Sequence, residues 1–360
     1  MKLLLLGDVS PTAHNAHIWK ARDIVILFED TLDLFQGNDL NFVNLECALT
    51  HSEKRIQKFG PCLAAPKETA QVLADIGVHA VSLANNHVFD FGTEGIRDTL
   101  QALDAAGISY TGFGKDYKDA RKNYILEKNG QRIAVIAVCE HEFSYALEDR
   151  MGSRPFDEFE TPEDVRAAKE ICDRVIVIYH GGKEHCRYPS PRLQRLCRAL
   201  VRNGADVVLC QHSHCVGVYE NYQNGHILYG QGNFHFVEPY DGEGWENSLA
   251  VHYDTDTNEI TFTPLEMTEY GIRLAKGEVA DGIMNDFRAR NATLATGGWQ
   301  KGWHDFCETN REKYCKVIAN AALPTSEGRD NARFAHYLDC EAHTDVWREL
   351  FPTYNQTNEK

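Results

Sequence analysis

No Cys-x-x-Cys pair occurs among the eleven cysteines of this 360-residue chain, which stand at 47, 62, 139, 172, 186, 197, 210, 215, 307, 315 and 340. An odd set so spaced argues for free thiols in a reducing compartment, and against a disulfide framework or a structural zinc. Nor does any stretch approach the ~20 apolar residues of a membrane span. The opening MKLLLLGDVS resembles a secretion signal only superficially. Its apolar run stops at Gly7-Asp8 without a small-residue cleavage pattern, so it reads as a buried first strand. These absences predict a cytoplasmic protein without a membrane span. No Lys/Arg stripe with interleaved aromatics offsets a formal charge of −16, which excludes nucleic acid as a general partner. Bound cations would still attract one small or polymer-linked anionic substrate. Low-complexity tracts and short-period repeats are absent too.

What is present is a folding composition, 43% hydrophobic and 25% charged. Apolar runs alternate with amphipathic stretches from the first residue, predicting the repeated βα pattern of a layered α/β fold. Strands are expected at 2–6, 41–45, 80–83, 174–179 and 206–209. Helices are expected at 66–76, at 93–106 with Thr93 as cap and Gly107 as stop, and near 162–171 and 191–203. Asn129-Gly130 between alternating runs predicts a hairpin, and further hairpins are expected over 216–230 and 248–264. Beyond about Glu269 the composition turns helical, with segments at 277–290, 299–322 and 330–350. This divides the chain into a body, 1–268, a C-terminal helical appendage, 269–352, and a frayed polar tail, 353–360. Trp303, Phe306, Tyr314 and Trp347 of the appendage read as core aromatics or as a surface for a homo-oligomer.

The chemistry lies where the apolar runs stop. LLLL precedes Gly7-Asp8, NFVNL precedes Glu46, and AVSLA precedes Asn85-Asn86-His87. VIVIY precedes His180, and DVVLCQ precedes His212-Ser213-His214. Each piece alone has an ordinary explanation: a turn, a solvated charge, a left-handed loop, a core histidine or a surface pair. Together they put carboxylate, amide and imidazole at five strand ends, the crevice where open α/β sheets bind ligands. Those residue types suit Zn, Mn or Fe, and a carboxylate can bridge two such ions. Alternation along an extended strand would turn His212 and His214 to one face, with Cys210 as an outlying candidate.

The ordered series Gly7-Asp8, Asn44-Leu45-Glu46, Asn85-Asn86-His87-Val88-Phe89-Asp90-Phe91-Gly92, His180-Gly181-Gly182-Lys183-Glu184, Gly204-Ala205-Asp206, His212-Ser213-His214 and Gly232-Asn233-Phe234 resembles the CapA family. That family is named for capsule and poly-γ-glutamate synthesis and belongs to the calcineurin-like metallophosphoesterase superfamily. The resemblance covers about residues 1–265. It implies a four-layer α/β/β/α sandwich holding two divalent metal ions, Mn, Fe or Zn, between its sheets. By position, Asp8 and His214 would hold one metal, and Asn86, His180 and His212 the other. Glu46 would bridge them where the superfamily usually has Asp, and His87 would face the substrate. Ser10 stands where the superfamily commonly has a histidine ligand, and Asp90 comes three residues after His87 rather than directly. His14 or His17 could replace the missing ligand from the loop, although the default for each is a solvated loop histidine.

The expected activity is a metal-dependent hydrolase, most readily a phosphoesterase acting through a metal-activated water. His87, oriented by Asp90, is the expected general acid, and Glu184 the acceptor that fixes a ligand imidazole. Asn233 is expected at the same crevice. Lys183, His185 and Arg187 stand beside it, where they can contact an anionic substrate. Two alternatives remain open at this level: a γ-glutamyl amide hydrolase or transferase, and a non-catalytic accessory protein that binds a metal or an anion.

Overall fold

The computed structural model describes residues 1–239, 244–323 and 328–352, so the expected frayed tail 353–360 lies outside the described residues. Two sheets form the body. The first runs Ile272–Leu274, Glu259–Met267, Asn247–Asp254, Lys2–Val9, Leu40–Leu45, Ala80–Ser82, Ser109–Thr111, with Asn233–His235 also pairing to Lys2–Val9. The second runs Tyr219–Tyr222, Gly225–Leu228, Val207–Gln211, Arg174–His180, Gln131–Cys139, Tyr124–Lys128.

Burial explains why these strands read as continuous apolar runs, since both faces of each sheet are covered. Leu3 and Leu5 point inward with Phe42, and meet Val135, Ile176, Ile178 and Leu209 of the second sheet. Leu4 and Leu6 point the other way, against Val72, Leu73, Ile96 and Leu103 of helices Glu68–Asp75 and Gly92–Ala106. The outer face of the second sheet, Ile136, Val177 and Val208, packs on Val165, Leu193, Leu196 and Leu200 of helices Glu160–Ile171 and Pro191–Arg202. The result is the four-layer α/β/β/α sandwich, with the C-terminal ends of the parallel strands opening on one edge.

Local signals mostly act as their chemistry dictates. Asn129 and Gly130 both adopt positive φ, 55° and 76°, and close the hairpin between Tyr124–Lys128 and Gln131–Cys139. Gly107 ends its helix in the left-handed conformation, but the start has moved: Phe91, not Thr93, is the N-cap, and no side chain caps there.

Four helices follow the body: Gly277–Thr296, Gly298–Ala322, Gly328–Asp339 and Glu341–Leu350. The single helix expected over 330–350 is thus two helices, broken at Cys340, whose backbone is extended (φ −73°, ψ 124°). No proline or glycine marks the break. Its cause is tertiary: it lets Asp345 turn into the body, where Oδ2 accepts hydrogen bonds from Ser190 Oγ (2.6 Å) and Arg192 Nε (2.9 Å). Trp303 and Tyr314 are buried with Val346, Leu350 and Cys186, so both serve as core aromatics against the loop after His180. Among the described residues no helix is long and apolar enough to cross a membrane.

Candidate metal centre and its cavity

Asp8 is the penultimate residue of the first strand, and Gly7 lets that strand pass so close to the Gly232 carbonyl that a Cβ would lie 2.1 Å from its oxygen. Each Asp8 oxygen has a donor. Asn44 Nδ2 donates to Oδ1 at 2.7 Å, and the His212 backbone N–H donates to Oδ2 at 3.1 Å. The same Asn44 nitrogen lies 3.1 Å from His180 Nδ1 and so orients the ring. The other ring nitrogen, Nε2, lies 2.8 Å from Asn86 Oδ1 and 3.2 Å from Glu46 Oε1. Asn85 secures this corner by donating to Asn44 Oδ1 (3.1 Å) and the Leu45 carbonyl (2.8 Å).

Two groupings of ligand atoms converge, Asp8–Glu46–His180 and Glu46–His212–His214, and Glu46 is common to both. Its carboxylate is fully buried and neither oxygen has a hydrogen-bond partner; His212 Nδ1 is orphaned likewise. Buried unpaired acceptors are costly, and cations between them would satisfy all three, so the donor set fits divalent metal. Burial and the neighbouring Asp8 push the Glu46 carboxyl well above the usual range. Burial also holds the imidazoles neutral, the form that binds metal, with His180 brought down to about 4 and His212 well below its ordinary value.

The alternation expected to align His212 and His214 does not extend past Gln211, where the strand ends. Both histidines, with His185, instead adopt positive φ of 81°, 56° and 62°. Such backbone is rare for a non-glycine residue and collects at functional sites. Cys210 is turned away, into the outer core beside Cys197 (3.6 Å). His14 and His17 are not brought to the site either. His14 Nε2 bonds the Glu269 carbonyl (2.7 Å), and both rings pack on Tyr270. Ser10 is buried with its hydroxyl unpartnered. Asn233 lies beside the cluster, its Oδ1 2.8 Å from His214 Nδ1.

The ligand cluster faces a cavity of about 490 Å³. His87 lines it, with Nδ1 2.7 Å from Asp90 Oδ2. Lys58, unforeseen from the sequence, is buried to 1% side-chain exposure, ion-paired to Asp90 and 3.2 Å from His87 Nδ1. Burial first, and then Lys58, lower His87 to about 4. Glu184 Oε1 lies 4.0 Å from His212 Nε2. Burial opposes ionisation of Glu184, but Lys183, His214 and His185 prevail and hold it at about 2, with 42% of the side chain exposed. His141 packs on His212, ring centroids 4.3 Å apart, and leads to His336 at 6.0 Å. A further grouping, Glu142–His336–Cys340, lies at that far end, where His336 Nδ1 and Glu142 Oε1 pair at 2.9 Å.

Residues 2–238 match the bacterial capsule synthesis protein family PGA_cap. The chain belongs to that family. Over 284 residues it is 28% identical to the capsule biosynthesis protein CapA of Bacillus anthracis, covering 75% of this chain and 68% of the relative. The PGA biosynthesis protein CapA of Bacillus subtilis is likewise 28% identical over 275 residues, covering 73% and 71%. A crystal structure of a phosphatase from Mycoplasma pneumoniae aligns with a TM-score of 0.47 at 16% identity, covering 75% of this chain and 94% of that one. The PGA_cap match contains every residue of the ligand cluster together with Lys58, His87, Asp90 and Glu184. It stops before Lys313, His336, Tyr337 and His343, which the C-terminal helices add to the same cavity.

Proposed function

We propose that this chain is a metal-dependent hydrolase of phosphoesters, in which Asp8, Glu46, Asn86, His180, His212 and His214 hold two divalent ions of the Mn, Fe or Zn class. The observation that carries this reading is the Glu46 carboxylate, buried with no hydrogen bond to either oxygen and shared by two convergent ligand groupings. When bound, such ions supply a water acidified toward neutrality and a clamp for phosphoryl oxygens.

The residues around the cluster divide the remaining work. Asn44 fixes Asp8 and the His180 ring, so two ligand donors keep one relative orientation. His87 presents its imidazole to the cavity while Asp90 orients it from behind. Being neutral in the free protein, it offers a lone pair or a hydrogen bond there, and it carries a proton to a leaving oxygen only after an incoming anion has raised its basicity. Lys58 adds a fixed positive charge beside it. Glu184, 4.0 Å from His212 Nε2, is the acceptor that would hold that ring through Nε2–H once the unpartnered Nδ1 is engaged.

The test is to measure bound Mn, Fe and Zn and turnover of p-nitrophenyl phosphate and bis-p-nitrophenyl phosphate for the wild type, H212A and D8N. Loss of metal and of turnover in both variants is expected. Metal content and stability unchanged in both would sink the reading.

The relatives' names, which speak of capsule and PGA biosynthesis, favour a second reading, in which the same centre cleaves or transfers a γ-glutamyl amide. Activity on γ-glutamyl peptides with none on either ester would select it. A chain that binds at most one ion and turns over neither class would be an accessory protein.

A further inference from the structure

Part of the cavity wall is built by the helices beyond the family match, and the charge of the cavity lining is unlike that of the chain as a whole. Against 53 acidic and 37 basic residues overall, the cavity is lined by Lys58, Lys183 and Lys313 and by only two acids, Glu184 and Glu238. Lys58 is already neutralised by Asp90. Lys183 has Glu184 at 3.5 Å, and that acid also faces His212. Lys313 has no ion-pair or hydrogen-bond partner among the described residues. Behind it Arg333 stacks over Phe59, itself a lining residue, with its guanidinium 4.8 Å from the ring centroid. Arg333 Nε is buried and unpartnered. Burial and then Lys183 lower Lys313, with Glu184 acting against them and Arg333 adding to the lowering. Like charges gathered on one wall, one with an orphaned donor, cost free energy that an anion would offset.

We propose that the part of the cavity where Lys313 of the helices meets Lys183 of the body, with Arg333 behind Phe59, is a second anion subsite. The substrate is a phosphoester whose leaving portion bears a further oxyanion, phosphate or carboxylate. Lys313, Lys183 and Arg333 bind that group while the scissile phosphate sits at the ligand cluster. The proposal rests on the phosphoesterase reading for the first group and on the helical wall for the second. The cavity volume accommodates such a molecule. The file of imidazoles His212, His141 and His336 spans the two ends in ring contacts of 4.3 and 6.0 Å. The body would then set the reaction, and the appended helices would choose the substrate.

The experiment is calorimetric binding to the Mn-loaded full chain of three non-hydrolysable probes: ethylphosphonate, 3-phosphonopropionate and 1,2-ethylenediphosphonate. The two-anion probes are expected to bind at least about tenfold more tightly than ethylphosphonate, as one added charge-assisted contact implies. The tighter of the two identifies the second oxyanion as carboxylate or phosphate. K313E, on an exposed helix position, and R333Q should each erode the two-anion advantage at least about threefold, with melting temperatures confirming that both variants fold. Equal affinity for one- and two-anion probes, or an advantage that survives both variants, overturns the subsite. Turnover of p-nitrophenyl phosphate by the wild type is read separately. If it is absent while the binding advantage persists, the subsite stands and the hydrolase reading falls.

Discussion

Replacing Glu46 with Gln should stabilise the metal-free protein and destabilise the metal-loaded one. In the metal-free chain the carboxylate is buried, with no hydrogen-bond partner on either oxygen and Asp8 nearby, so its pKa is raised well above 4.5. The sign follows. Above pH 4.5 the unfolded chain releases this proton while the folded chain retains it, so the group costs stability as pH rises until the folded pKa is passed. At about 1.4 kcal/mol per pH unit, that cost reaches at most about 3.5 kcal/mol at pH 7. Gln has the same shape without the charge. Metal-free E46Q should therefore melt about 3–6 °C above metal-free wild type at pH 7, and the gap should close as pH approaches 4.5. Excess Mn should reverse the order, because a ligand at 100 times its dissociation constant adds about 2.7 kcal/mol only to a chain that binds it. Scanning calorimetry at several pH values, with chelator and with Mn, reads both halves. Wild type and E46Q equally stable without metal at pH 7, or equally stabilised by Mn, would refute the assignment of Glu46 as a shared ligand.

Other consequences are as direct. H87N should lower kcat on p-nitrophenyl phosphate by roughly 10²–10⁴ with metal content unchanged, since His87 faces the cavity from outside the ligand cluster. Equal loss of metal would instead make it a ligand. D345N removes one of the carboxylates on Arg192, whose side chain is 9% exposed and keeps Glu140 at 3.2 Å, and should cost about 1–3 kcal/mol, read as a lower melting temperature and earlier proteolysis among the last helices. In metal-free E46Q, where the opposing Glu46 effect is absent, acid should destabilise the chain from about pH 6.5 downward. His180, brought to about 4 by burial, refuses a proton that the unfolded chain accepts, so stability present above 6.5 is lost toward pH 4. A melting temperature flat over that interval would contradict the burial of the neutral ring.

Much of the candidate centre was legible because each candidate ligand stands at the end of an apolar run, where solvent-averse residues must stop and the chain can turn polar. What was illegible depended on contacts between segments far apart. Lys58 lies in a stretch, 51–63, without regular structure or periodicity, and its ion pair with Asp90 and hydrogen bond to the Asn86 carbonyl bring it to His87. The rings of His212 and His214 are aimed by positive φ, which no side-chain alternation reports. His14 and His17 had the right chemistry in the right loop, but Glu269 and Tyr270 hold them elsewhere. The break at Cys340 has no local breaker. It exists because Asp345 gains Ser190 and Arg192 when the last helix folds back.

By itself the sequence determined a layered α/β body and the ligand-type residues at its strand ends, because burial on both faces writes continuous apolar runs and interrupts them where the sheet stops, while the two-sheet arrangement was implied by the family resemblance. Only the tertiary structure decided that Glu46 is shared by two ligand groupings and left unpartnered, and that the last helices put Lys313 and His336 on the wall of the same cavity. The physical reason is distance along the chain. Periodicity reports which face of an element is buried, whereas a site assembled from residues 8, 46, 180, 214 and 313 exists only once the whole chain has paid the entropy of bringing them together.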